Sequence, residues 1–297
     1  MYIKAETMEV INQSLKLITN VNEPVIVEFP VSGGSINSCY KLRAGKQCFF
    51  LKINDSRKYP EMFLKEAEGL KTIRSTNAIN VPAVIAQGTA GIEQYLILNW
   101  VEEKTGSRQA WEKLGENLAK MHQVSSHSFG LGYGNYMGSL GQSNKRHKSW
   151  ASFFINERLI PQVQMATKKH LLDSTLTDKF NLLYDMLPEL FPEEAPSLIH
   201  GDLWSGNYII TEGGEPVLID PAISFGHREF DIAMTTLFGG FNQSFYDSYN
   251  NAFPLQKGWQ ERLPLWNLYP LLIHLNLFGI SYLSAIKSSL AKYDRTK

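Results

Sequence analysis

Cysteine is scarce, with two in 297 residues. No disulfide framework can be built from Cys39 and Cys48, so nothing in the chain demands an oxidising compartment. Net charge is missing too, because 29 Lys+Arg balance 29 Asp+Glu. A dedicated nucleic-acid binder would carry a basic excess, so nucleic acid is not an expected partner. Low-complexity segments, long like-charge runs and internal repeats are also lacking. With 43% hydrophobic and 20% charged residues, disordered, collagen-like and coiled-coil classes are excluded. The most apolar stretch, residues 263–286, contains Pro264, Asn267, Pro270, His274 and Asn276, each expensive in lipid. It predicts buried helices, and no membrane partner is expected. The opening MYIKAETMEV mixes Lys4, Glu6 and Glu9 with apolar residues, unlike a secretory leader. A cytoplasmic location is the expectation.

What is present has a clear order. The zero charge conceals a split, with residues 1–148 at +5 and residues 149–297 at −5. Met8, Ile11, Leu15 and Ile18 predict an amphipathic helix over 6–18. VIVEF (25–29), a Ser-Gly-Gly turn, CYKLRA and CFFLKI then read as a meander of antiparallel strands. Phe63, Ala67, Leu70 and Ile73 line one face of a helix over about 59–74, and YLILNWV (95–101) reads as a buried strand. Beyond it, helices are predicted over 114–123, 150–163 and 176–187, interrupted by a hairpin, YIIT-EGGE-PVLID (208–220). The fold class is α+β, with a small antiparallel-β part over 1–101 and a larger, mainly helical part over 102–297. The hinge is expected at 102–106.

The strongest local signal is His200-Gly201-Asp202-Leu203-Trp204-Ser205-Gly206-Asn207, followed by a hairpin that ends at Asp220. Phosphoryl transfer from ATP needs such a set. One carboxylate, Asp202, orients and receives the proton of an attacking hydroxyl. An amide and a second carboxylate, Asn207 and Asp220, offer magnesium the hard oxygens it prefers. In CFFLKIN, alternation puts Phe50, Lys52 and Asn54 on one face of a central strand. A lysine there is costly unless an anion neutralises it. Glu66 lies on the apolar face of the following helix and is the expected partner, with Glu68 as its competitor. SGGSIN (32–37), with Gly33 and Gly34, stands where a loop would cover the phosphates, although it is neither G-x-G-x-x-G nor a P-loop. Backbone groups of Asn99, Trp100 and Val101 are candidates for the adenine edge.

These residues resemble the fructosamine kinase (ketosamine-3-kinase) family, relatives of aminoglycoside and choline kinases with a bilobal, protein-kinase-like fold. Matching segments run nearly the whole chain. They include GGSIN (33–37), FFLKIN (49–54), MFLKEAEGL (62–70), LGENLAKMH (114–122), FGLGYGNYMGSLGQSN (129–144), HGDLWSGN (200–207), IDPAISFGHREFDIAM (219–234) and HLNLFG (274–279). Aminoglycoside kinases more often have His-Pro where this chain has Trp204-Ser205.

The resemblance implies an ATP- and magnesium-dependent kinase acting on the 3-hydroxyl of a ketosamine, a deglycation step. It implies Lys52 and Glu66 at the nucleotide, Asp202 as base, Asn207 and Asp220 at magnesium, and His200 and Asp231 as supports of the catalytic loop. Trp204 is either a wall of the substrate pocket or packing beneath the loop. His227 and Arg228 belong to the family-specific block without an assigned chemistry. Some family members carry a cysteine at the loop tip, where this chain has Ser35. Two competing readings are an aminoglycoside or other amino-alcohol kinase and a catalytically inactive nucleotide-binding module. The oligomeric state is unreadable from the sequence.

Overall fold

The computed structural model describes residues 3–19, 23–32 and 36–293. By its internal contacts the chain divides into two compact units. The first comprises Met1–Ala110 with Ile209–Pro221, and the second Trp111–Tyr208 with Ala222–Lys297.

The first unit is a five-stranded antiparallel sheet with a helix on each face. Its strands are β1 (Ile26–Val31), β2 (Ser38–Ala44), β3 (Gln47–Asp55), β4 (Val84–Ala90) and β5 (Glu93–Asn99), in the order β1-β2-β3-β5-β4. Helix α1 (Ala5–Thr19) brings Ile11 and Leu15 onto Leu42, Phe49, Leu51, Ile53 and Ile97. That apolar layer uses one side of the period-2 alternation in β3. Helix α2 (Met62–Ser75) buries Phe63, Ala67, Leu70 and Ile73, the stripe its spacing predicts. Strand β3 lies in the centre of the sheet, opposite β2 and β5. Lys52 therefore faces Cys39 on one side and Leu96 on the other.

Strand β4 is absent from the sequence reading. Its sequence, VIAQGTA, shows no apolar–polar alternation, and Pro82 stands two residues before it. Tertiary pairing with β5 decides its state, overriding weak local preference.

The division also differs from the expected boundary. It lies at Ala110 rather than after residue 101, and residues 209–221 join the first unit. Hydrogen bonds explain the reassignment. The Leu218 amide donates to the Asn80 carbonyl at 2.9 Å and the Lys104 amide to the Ile210 carbonyl at 2.8 Å.

The second unit is mainly helical. It includes the helices Trp150–Phe153, Ile160–Lys168, Ser174–Leu190, Gln243–Ala252, Trp259–Trp266, Leu268–Phe278 and Leu283–Ala291. Its core is aromatic, with Phe191 stacked on Trp266 at 4.3 Å between ring centroids and Trp150 stacked on Phe154 at 5.3 Å. The apolar run 263–286 is divided between packed helices, with Leu265, Trp266, Leu268 and Leu272 fully buried. No helix among the described residues is long and apolar enough to cross a membrane.

The predicted helix over 150–163 is not one helix. A π-helical turn (Phe154–Leu159) separates two α-helical pieces. That turn buries Arg158, whose guanidinium donates to the carbonyl of Ser143 and, at 2.6 Å, to Oδ1 of Asn144. A buried cation drawn toward carbonyl acceptors accounts for the local widening of the helix.

Candidate active site

In the first unit the chemistry gathers at Lys52. Its ammonium donates to Glu66 Oε1 at 2.8 Å and to Asp220 Oδ1 at 2.6 Å. The Lys52 side chain is 3% exposed and that of Glu66 12%, whereas Asp220 is 42% exposed. Burial alone would lower the pKa of Lys52. The charges of Asp220 and Glu66 and their hydrogen bonds outweigh it and hold the ammonium above its ordinary value. Glu66 is displaced upward by burial, with Asp220 adding to the rise and Lys52 opposing it. Its competitor Glu68 turns instead to Lys65, at 3.9 Å.

Asp220 has φ of 55°, left-handed for a residue with a side chain. Such strain persists where surrounding structure enforces it, and it is common at functional positions. Here the Lys52 contact and the following Pro221 constrain it.

The Asn99–Val101 segment is partly committed to the protein. The amide of Asn99 donates to the Ala83 carbonyl at 3.0 Å and that of Trp100 to the Cys48 carbonyl at 3.1 Å. Those two N–H groups are therefore spent on the fold. The Trp100 ring meets Phe29 edge-on at 6.2 Å and lies beneath the Lys41 ammonium at 4.5 Å. Gly33 and Gly34 lie outside the described residues.

In the second unit the loop after strand 197–199 carries Asp202. The strand pairs with 224–226, and the Ala222 amide donates to the His200 carbonyl at 2.9 Å. Gly201 has φ of 82°, and a Cβ there would lie 2.2 Å from the Ala222 carbonyl oxygen, so only glycine fits. Asp231, fully buried, accepts from the backbone amides of His200 at 2.6 Å and Gly201 at 2.9 Å. His122 Nε2 lies 3.1 Å from the same carboxylate, and its Nδ1 lies 2.8 Å from the Tyr249 hydroxyl. Sequence reasoning missed His122 and Tyr249 as members of this brace. The only available signal was that His122 ends one of the family-like segments.

Asn207 donates through Nδ2 to the Asp202 carbonyl at 2.7 Å and to Asp202 Oδ2 at 3.1 Å. With its amide nitrogen committed there, Oδ1 is the oxygen Asn207 could offer as an acceptor. Trp204 folds back over its own loop, where a Cβ on Gly206 would meet the indole at 2.3 Å. Its ring edge contacts Phe238 at 6.1 Å between centroids. It is half-buried and joins the core margin.

The family-specific block 227–229 supports the fold. His227 is fully buried, 4.8 Å from the Trp266 ring, and burial lowers its pKa despite nearby Glu194 and Glu229. Arg228 makes a bidentate pair with Glu194 at 2.8 and 2.9 Å and donates to the carbonyls of Phe253 and Pro254. Glu229 pairs with Arg262 and accepts from Trp266 Nε1 at 3.1 Å.

Comparison with known proteins gives this geometry a lineage. A family model described as fructosamine kinase matches residues 7–295. A probable ketoamine kinase of Synechocystis is 42% identical over 257 residues, covering 85% of each chain. A rice protein-ribulosamine 3-kinase, chloroplastic, is 39% identical over 274 residues, which is 89% of this chain and 78% of that one. Among solved structures, a Haemophilus somnus protein described as a fructosamine-3-kinase superposes with a TM-score of 0.86 at 30% identity, over 95% of this chain and 96% of that one. A thermostable mutant of the aminoglycoside phosphotransferase APH(4)-Ia shares the fold alone, with a TM-score of 0.64 at 15% identity over 96% of this chain and 100% of that one. With nearly its full length matched and the kinase-like sheet, paired lysine and braced loop in place, this chain belongs to the fructosamine kinase family.

Proposed function

We propose that this protein transfers the γ-phosphoryl group of ATP to the 3-hydroxyl of ketosamines, the adducts of sugars with amines. The observation that carries the reading is Lys52, buried and doubly paired with Glu66 and Asp220. A central-strand lysine anchored by a helix glutamate is the device that holds the α- and β-phosphates in kinase-like folds. Asp202 orients the sugar hydroxyl and takes its proton. The Asn207 amide, by donating to Asp202, fixes the direction of the carboxylate. Asp231, through the His200 and Gly201 amides, keeps the loop in the shape that presents Asp202.

Asn207 and Asp220 fit the chemistry of magnesium, since each keeps an oxygen beyond its protein hydrogen bonds. When bound, the ion would neutralise phosphate charge. Positioning and charge neutralisation, rather than covalent chemistry, supply most of the rate. A 3-phosphoketosamine is chemically labile, so the proposed purpose is deglycation. Two free thiols and the absence of any need for disulfides support a cytoplasmic setting.

The test is ADP release in the presence of ATP, magnesium and one of ribulose-lysine, fructose-lysine or an aminoglycoside. Turnover with a ketosamine is expected, and turnover with the aminoglycoside alone would overturn the reading. Asp202→Asn should lower kcat by about a thousandfold or more while ATP affinity stays within about twofold. Full activity in that variant would remove Asp202 from the mechanism.

A further inference from the structure

We infer that the second unit carries a subsite for the amine-side substituent of the ketosamine, formed by Phe238, His274, Phe278 and Tyr282 and reached from the Asp202 loop through Trp204. It rests on the function proposed above and adds what the acceptor should look like beyond its sugar.

The rings are contiguous. Trp204 meets Phe238 edge-on at 6.1 Å, and Phe238 lies 4.6 Å from His274. His274 lies 5.0 Å from Tyr282 and 5.5 Å from Phe278. The outer members stay open to solvent, with Phe238 38% and Phe278 52% exposed, and Ile280 beyond them 68%. A run of large apolar side chains left exposed together marks a place where something else packs.

The loop that presents Phe238 is held in a costly shape. Phe238 has φ of 53°, and Gly239 and Gly240 follow at 110° and 70°. The cost falls on Phe238, since glycine adopts positive φ freely, and Gly239 and Gly240 let the chain turn directly after it. The loop is also tied to the catalytic loop, since Ser205 Oγ donates to the Phe238 carbonyl at 2.9 Å. The shelf is thus anchored three residues from Asp202 in sequence.

Substrate chemistry selects the occupant. In a ketosamine the amine sits on C1, two carbons from the hydroxyl that Asp202 engages. Whatever the amine carries must leave along a surface adjoining the catalytic loop, and the aromatic shelf adjoins it at Trp204. His274 Nδ1 lies 2.7 Å from the Pro270 carbonyl and donates to it, which leaves Nε2 as the acceptor of a neutral ring. Burial favours that neutral form. Aromatic faces accept an alkyl or aryl body and tolerate the single ammonium beside it. The occupant is therefore an apolar or aromatic amine substituent, of which the methylene stem of a glycated lysine is one example.

The experiment compares ribulose adducts of glycine, n-butylamine and phenethylamine by kcat/KM on the full-length protein. The phenethyl adduct is expected to exceed the glycine adduct by about tenfold, chiefly in KM. In Phe278→Ala that ratio should fall below about threefold, and in Phe238→Ala further still. If the Phe238 variant fails to fold, the half-exposed Phe278 carries the test. Leu182→Ala, which truncates an exposed side chain 58% open on the helix Ser174–Leu190, should keep the full ratio. Turnover with no preference among the three adducts, or a ratio unchanged in Phe278→Ala, overturns the subsite and leaves the proposed function standing. Turnover of no ketosamine overturns the function and the subsite together.

Discussion

Lys52 illustrates how one residue acquires its chemistry from its neighbours. A buried ammonium is expensive alone, and two carboxylates reverse that cost. The same pair of acids bears on Cys39, which faces Lys52 across the β2–β3 ladder. Burial lifts the thiol from an ordinary value of 9.0 to about 11, with Asp220 and Glu66 adding to the rise and Lys52 opposing it. A raised folded-state pKa contributes stability below pH 9.0, and that contribution fades as pH climbs toward 11. Alkylation of Cys39 by iodoacetamide, followed by peptide mass spectrometry, should therefore show a midpoint near 11. A midpoint at the ordinary thiol value would contradict this account.

At the scale of elements, the loop 200–207 depends on a glycine and a buried acid from distant parts of the chain. Gly201→Ala places a Cβ 2.2 Å from the Ala222 carbonyl, and backbone cannot yield as a flexible side chain would. Together with the positive φ, this should cost about 3 kcal/mol or more in urea unfolding. Gly132→Ala meets nothing within 4 Å and should change stability by less than about 1 kcal/mol. Equal effects of the two substitutions would refute the steric argument. The segment 129–144, family-like in sequence, also proves to be a polar anchor within the second unit. Asn135 donates to the Ile223 carbonyl at 2.9 Å, Gln142 and Asn144 donate to Asn135, and Tyr269 donates to Gln142 at 2.6 Å. Satisfied buried amides of this kind specify one arrangement of the loops that meet there.

At the scale of the whole molecule, the charge split changes meaning. Cut at residue 148, the halves carry +5 and −5. Counted by structural unit, the first has 13 Lys+Arg against 14 Asp+Glu and the second 16 against 15, so both are nearly neutral. The transfer of Glu212, Glu215 and Asp220 into the first unit does part of this, and it also brings Asp220 to Lys52. A ligand that binds only the folded form stabilises it, by about 2.7 kcal/mol at a hundredfold excess over its Kd. ATP with magnesium should accordingly raise the Tm by several degrees in a thermal-shift assay, and Lys52→Met should remove most of that rise. An undiminished rise in the variant would detach Lys52 from nucleotide binding.

The limits of sequence reading follow from the range of the forces involved. Local periodicity suffices for the apolar faces of α1, α2 and β3, because burial on one side imposes a period of 3.6 or 2 on the residues themselves. Tight motif spacing suffices for the loop 200–207 and the hairpin after it. Strand β4 was illegible, since its state is decided by β5. So were the unit to which 209–221 belongs, the partnership of His122 and Tyr249 with Asp231, and the aromatic shelf of Phe238, His274, Phe278 and Tyr282. The contacts of 209–221, of His122 with Asp231 and of Phe238 with His274 join residues far apart in the chain, where no local period records them, while β4 pairs with its sequence neighbour β5 without an alternation of its own. The sequence by itself therefore singled out the side chains proposed to carry the chemistry. Only the tertiary structure decided their partners, because burial, pairing and strain are properties of neighbours in space.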